Sequence, residues 1–287
     1  MRSGDRFLKF WGTLAETWIV QESRSPMLEQ PVTDTEWCCE FYDEIYSDLY
    51  LSQSPNEDLA STLGFLEEVL HIVPGDTVFD QCCGIGRISI PLASRRRCRI
   101  IGVDQSAAYV EQAQSLSQEM NLVSSFVQAD AYAFVTEEPC DAAFNWYASC
   151  GNNRDDRVNR QMFERAYESL RPGGWFACDY LNVPRLFGDG CKSVELHHEG
   201  PQGNFTAHWQ STPVFETGML QVEVTLTSVD GSQRITKTGE SRLYMPHELI
   251  GLLSQCGFSS FRLYGSSSRA PLTSDSGHCI VVCKKPE

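Results

Sequence analysis

The stretch Val78-Phe79-Asp80-Gln81-Cys82-Cys83-Gly84-Ile85-Gly86-Arg87 is followed, about one βαβ unit later, by Arg99-Ile100-Ile101-Gly102-Val103-Asp104. A short apolar strand enters a turn with two glycines, the turn feeds a helix, and a second apolar strand ends on an acid. That is a nucleotide-binding layout. Glycine at 84 and 86 lets the backbone reverse sharply and present main-chain N–H groups to a ligand. An acid at the tip of the next strand can accept both hydroxyls of a ribose, so the expected ligand carries an adenosine-like ribose.

The order of the motifs separates two uses of this geometry. A dinucleotide fingerprint needs a third glycine three residues after the second, but Ser89 stands there and Pro91 follows. Instead, Asp80, the glycine turn, Asp104 and Phe126-Val127-Gln128-Ala129-Asp130 resemble the successive cofactor motifs of class I S-adenosylmethionine-dependent methyltransferases. Asp141-Ala142-Ala143-Phe144-Asn145-Trp146 and Leu170-Arg171-Pro172-Gly173-Gly174-Trp175 resemble that family's fourth strand and the turn before its fifth. The resemblance spans roughly residues 40–285. It departs at Cys82, where the family places its first glycine; a cysteine is expected to keep the turn with a negative φ.

Composition narrows the partners. The 287 residues allow one large α/β core with a small appended lid. With 23 basic and 38 acidic residues the formal charge is −15, which repels phosphate backbones and anionic lipid, so neither nucleic acid nor membrane is an expected partner. Arg95-Arg96-Arg97 falls at the end of the helix after the glycine turn, where basic side chains complement the helix dipole. The 12 cysteines show no Cys-x-x-Cys and no regular spacing, and no secretory apolar region opens the chain. They read as reduced, mostly buried thiols of a cytoplasmic protein rather than as disulfides or a metal site. No apolar run is long enough to span a bilayer.

Residues 1–34 read as a helical extension, with Phe7, Phe10, Trp11, Leu14, Trp18 and Ile19 at helical spacing, to cover the chain's own domain or a second copy in a homo-oligomer. From residue 35 a tyrosine-rich helix carries Tyr42, Tyr46 and Tyr50 on one face. Another helix runs from Asp58 to His71. Strands at 78–83, 99–104, 123–127, 141–147 and 175–181 then alternate with helices at 86–96, 107–121 and 156–170, which calls for a parallel sheet wrapped by helices. The expected fold is thus α/β, a seven-stranded, mostly parallel sheet with helices on both faces, formed by residues 35–183 and 246–287. Residues 184–245 lose the helical pattern and alternate with period two around Asp230-Gly231, an antiparallel β insertion expected to serve as lid and acceptor-binding subdomain.

The resemblance implies roles. Asp104, with Gln105 beside it, binds the ribose; Asp130 and Ala131 lie at the adenine edge; Gly84, Gly86 and Cys82 pass the methionine portion; Asp80 orders the turn or meets the cofactor's ammonium. Asn145, Trp146 and Tyr147 follow the strand from which the family faces the transferred methyl. Trp146 and Tyr147 are candidates for cation–π contact with the sulfonium, and Asn145 for orienting cofactor or acceptor. Tyr46 of the tyrosine-rich helix, which resembles the family's cover over the cofactor mouth, Tyr147 and a histidine of the insertion, His208, complete the catalytic candidates, the imidazole because it titrates near neutrality. The Asp/Asn-Pro-Pro-Tyr of nucleic-acid amino-methyltransferases is absent. The expected activity is methyl transfer to a nitrogen or oxygen of a small molecule, as in the branch that includes glycine-type N-methyltransferases. A protein, peptide or RNA methyltransferase is the alternative enzyme, and a non-catalytic cofactor sensor or partner subunit the alternative of another class.

Overall fold

A computed structural model describes residues 36–47, 51, 56–189, 193–200 and 203–287. The expected N-terminal extension and Tyr50 lie outside the described residues. The short apolar runs become β1 (Thr77–Gln81), β2 (Arg99–Asp104), β3 (Ser125–Gln128), β4 (Cys140–Asn145) and β5 (Leu170–Leu181), with α4 (Ser89–Arg96), α5 (Ala107–Glu119) and α6 (Asp156–Ser169) between them. Two C-terminal strands, β10 (Ser259–Tyr264) and β11 (His278–Lys284), complete a seven-stranded sheet of order β10-β11-β5-β4-β1-β2-β3. β1 pairs in parallel with β2 and β4, while β11 runs antiparallel to both β5 and β10. The chain therefore leaves β1 toward β2 and β3, then returns to β4 on its other side. That reversal opens a crevice beyond the carboxyl end of β1, where α/β sheets bind ligands.

Alternation along each strand divides the core between two faces. Val78, Ala142, Phe144 and Ile280 pack with Leu66 of α3 (Asn56–Val69), Leu92 of α4 and Val110 of α5. Phe79, Ala143 and Val281 pack with Phe163 of α6 and with Leu249 and Leu253 of α8 (Pro246–Gln255). Phe79 and Phe144 are wholly buried, on opposite faces. Each contributes about 1.5–3 kcal/mol, so a one-residue slip of either strand would lose both sets at once. Of the three arginines ending α4, Arg95 pairs with Glu67 at 2.9 Å and Arg96 donates to the Ile72 carbonyl at 2.6 Å, so two of them tie α4 to α3 and its exit.

Between α7 (Val183–Asp189) and α8 the chain makes a separate antiparallel sheet of β6 (Ser193–Gly200), β7 (Gly203–Val214), β8 (Met219–Ser228) and β9 (Arg234–Arg242). The Asp230-Gly231 turn joins β8 to β9, with Gly231 at φ +72°. Its apolar face, Phe205, Ala207, Val224 and Leu226, packs on Phe41 of α1 (Glu36–Phe41). Gly239 of β9 is needed there, because a Cβ would lie 2.5 Å from the Trp37 ring.

The tyrosine-rich segment is not one helix. After α1 ends at Phe41, Asp43 caps a second short helix, α2 (Glu44–Tyr46), by accepting from the Tyr46 N–H at 3.0 Å. A side chain competing for backbone donors breaks the pattern that spacing alone continues. Strand β4 likewise stops at Asn145 rather than 147, because Tyr147 and Ala148 adopt left-handed φ of +62° and +55°.

Candidate cofactor and acceptor site

The turn after β1 is pinned from three sides. The Cys83 N–H donates to the Val103 carbonyl at 2.9 Å, the Gly86 N–H to the Cys83 carbonyl at 3.0 Å, and the Gly84 N–H to Asp104 Oδ2 at 2.9 Å. Holding the turn so places Cys82 at φ +66°, which corrects the expectation of a negative value. The left-handed conformation costs a non-glycine residue about 1–2 kcal/mol, offset here by the pinned neighbours. Gly86, at φ +76°, has a packing role: a Cβ would stand 2.8 Å from Ile90 Cδ1 and 3.2 Å from Ala113 Cβ, so the missing side chain brings α4 against α5. Gly84 faces open space apart from Leu51 Cδ1 at 3.6 Å.

A cavity of about 730 Å³ fills the crevice. Its floor is the glycine turn, its sides are the segments leaving β2, β3 and β4, and α1 and α2 cover it. The structure brings Asp80, Cys82, Gly84, Asp104 and Gln105 into its wall from the turn and the end of β2. Asp130, Ala131, Trp146, Tyr147 and Tyr46 enter from the other sides. Three expected site residues lie elsewhere. Gly86 sits beneath the wall, as above. Asn145 is fully buried under the floor, where its Nδ2 donates to Gln81 Oε1 at 3.3 Å and meets Met162 Sδ at 3.4 Å. His208 is exposed on β7 between Ala207 and Trp209, whose side chains pack toward α1, so strand alternation turns the imidazole to the opposite face. Neither His208, expected as a general base, nor Asn145, expected to orient cofactor or acceptor, lines the cavity.

The acids are positioned for distinct partners. Asp104 accepts from Gly84 N–H and, through Oδ1, from Ser106 N–H at 3.0 Å, yet a carboxylate has lone pairs left for ribose hydroxyls. Burial raises its pKa against these hydrogen bonds. Asp130 spends Oδ1 on the Tyr132 N–H at 2.9 Å. Asp80, 3% exposed, accepts from the Ser89 hydroxyl; burial lifts its carboxyl to about 7, the Ser89 bond opposing and the Asp104 charge adding. Burial also pushes the Cys82 and Cys83 thiols well up, so they remain protonated and are poor nucleophiles. Asp43, Glu44, Asp80, Asp104 and Asp130 against Arg87 make this wall predominantly acidic, which suits a ligand bearing cationic centres.

Sequence reasoning missed several wall residues. Tyr42 bonds to Asn152, and Arg87 Nη1 donates to the Tyr147 hydroxyl at 2.7 Å. The Asp179 carboxylate and carbonyl hold the left-handed pair through Tyr147 N–H at 3.3 Å and Ala148 N–H at 3.1 Å. Tyr132 is 8% exposed and its hydroxyl has no hydrogen-bond partner among the described residues. A buried phenol without a partner in a cavity wall is a vacancy for a polar ligand atom. Its place two residues after Asp130 was the available signal.

These features fit S-adenosylmethionine, a nucleoside with an ammonium and a sulfonium: the cavity wall carries several carboxylates and its floor is open at Gly84. Residues 78–174 match the family model described as a methyltransferase domain, and the seven-stranded sheet has the fold of class I methyltransferases. Among solved structures, an S-adenosylmethionine-dependent methyltransferase from Clostridium acetobutylicum shares the fold with a TM-score of 0.69 at 15% identity, over 85% of this chain and 97% of that one. An amino pentose methyltransferase of calicheamicin biosynthesis from Micromonospora echinaspora, solved with S-adenosylmethionine bound, gives 0.66 at 13% identity, over 85% and 98%. In sequence the chain is 26% identical over 170 residues to the carboxy-S-adenosyl-L-methionine synthase of Aliivibrio salmonicida, covering 56% of this chain and 67% of that protein.

Proposed function

We propose that this enzyme methylates a nitrogen or oxygen atom of a small polar molecule, an amino sugar or comparable amine being the favoured class. The observation that carries the reading is the covered cavity of about 730 Å³, within the usual range for small-molecule sites, whose lining includes Tyr42, Tyr46, Ser149 and Asn152. A row of neutral donors and acceptors suits a hydroxyl-rich acceptor. The amino pentose specificity of the Micromonospora protein supports the same class.

In this reading the cofactor supplies an electrophilic methyl group on a sulfonium, and the protein supplies geometry. Asp104 and Asp130 hold the nucleoside, and Asp80 faces the ammonium. Trp146 and Tyr147 flank the methyl. Tyr42 and Tyr46 turn the acceptor lone pair toward it, and the α1–α2 cover keeps water out. Burial keeps the phenols of Tyr42 and Tyr132 protonated, so they act as hydrogen-bond donors and not as bases. Residues 184–245 act as the lid, and the cysteines among the described residues, all free thiols, support a cytoplasmic setting. The Aliivibrio relatives suggest a second reading, a carboxylated cofactor, with Arg87 in the cavity wall as its carboxylate partner.

The test is incubation of the purified protein with methyl-labelled S-adenosylmethionine and a panel of free and nucleotide-linked amino sugars, amino acids, peptides and RNA, with mass spectrometry of the bound nucleoside. Label in a small amine or alcohol is expected. Label only in peptide or RNA would overturn the acceptor class, a carboxylated nucleoside would favour the second reading, and tight binding without transfer would make the protein a sensor.

A further inference from the structure

One lysine breaks the pattern of the antiparallel sheet. Lys237 of β9 is 8% exposed and stands opposite Val224, on the face that Phe41 and Leu226 make apolar. An ammonium placed there without partners would be strongly destabilising. It has three donors and meets three acceptors: Asp43 Oδ2 at 2.5 Å, the Glu40 carbonyl at 2.9 Å and the Phe41 carbonyl at 3.4 Å. The two carbonyls are the last of α1, where a helix presents unsatisfied oxygens and the negative end of its dipole. The third partner, Asp43, uses its other oxygen to cap α2, and its carbonyl accepts from the Tyr109 hydroxyl of α5 at 2.7 Å.

We infer that Lys237 is a positioning residue for the active site: from the β insertion it fixes the break between α1 and α2, and so seats the cover over the cofactor. The break is what aims Tyr42 and Tyr46, one on each side of Asp43, into the cavity wall. Lys237 itself is not in that wall. A lysine outside the cavity wall thereby governs how tightly the cofactor is held. The inference rests on the cavity being the cofactor site.

The test uses S-adenosylhomocysteine as the probe, titrated calorimetrically into the full chain, with hydrogen exchange of residues 36–47 followed in parallel. Lys237→Met should weaken binding about tenfold, as for a cover seated in only one molecule in about ten. The 36–47 amides should lose the protection that the probe confers, while exchange in β7 and β8 stays unchanged. Asp43→Asn keeps a competent helix cap but removes the charge, so it should weaken binding in the same direction even if Lys237→Met folds poorly. The double variant should lose no more than the worse single one, because both changes break one interaction. Binding by Lys237→Met within about twofold of wild type, or losses that multiply in the double variant, would overturn the inference. A wild type that does not bind the probe would overturn the cofactor site and this inference with it.

Discussion

Asp80 makes cofactor binding depend on pH in a calculable way. In the free protein its carboxyl titrates at about 7, chiefly because it is buried. A protonated carboxyl cannot pair with the cofactor's ammonium, so below neutrality binding must first expel a proton. If the bound ammonium returns the carboxyl to about 4, binding at pH 7 releases about half a proton, and Kd falls about tenfold between pH 6 and pH 8. In Asp80→Asn this dependence should vanish. Titration with S-adenosylhomocysteine in two buffers of different ionisation enthalpy measures both the affinity and the proton release. The sign for the free protein is the reverse: because folding raises this carboxyl, the native state holds the extra proton, and stability from this group is lost as pH rises from about 4 through about 7. A wild-type Kd flat within about twofold across the range, or an equal slope in Asp80→Asn, would refute the placement of Asp80 beside the ammonium.

Gly86→Ala puts a Cβ 2.8 Å from Ile90 Cδ1 at φ +76°, and should cost about 1–3 kcal/mol, seen calorimetrically as a melting temperature lower by several degrees. Gly84→Ala, whose nearest neighbour is 3.6 Å away, should lose less stability and more affinity for S-adenosylhomocysteine. Tyr46→Phe retains the ring packing against Tyr42 at 5.0 Å and Phe41 at 5.7 Å while deleting one hydroxyl. Turnover on the acceptor that the methylation panel reveals should fall about tenfold, the equivalent of one hydrogen bond, at an unchanged melting temperature.

The parallel sheet was legible because its signals are local: apolar runs ending on Asp80, Asp104 and Asn145, with helical periods between them. The acids of the cavity wall followed from the same runs. What was not legible depended on tertiary contacts. Alternation assigns His208 and Trp209 to opposite faces of β7, but which face meets α1 is set by packing that no single strand encodes. The resemblance pointed Asn145 toward cofactor or acceptor; in the fold the left-handed pair held by Asp179 ends β4 at Asn145 and leaves the amide beneath the floor. Cys82 is left-handed for a similar reason, since the hydrogen bonds made by Cys83, Gly84 and Gly86 determine the turn whatever residue stands at 82. The helix break at Asp43 pairs a carboxylate with a lysine 194 positions away, a contact visible only once the insertion has folded over α1.

The central claim is that the cavity beyond β1 binds the nucleoside through Asp104. Calorimetric titration of S-adenosylhomocysteine into wild type and Asp104→Ala tests it most directly, with circular dichroism confirming that the variant is folded. Two charge-assisted hydrogen bonds to the ribose, each worth about 1.5–3 kcal/mol, predict a loss of at least about 100-fold in affinity. An affinity of Asp104→Ala within about threefold of wild type would contradict the assignment of the site.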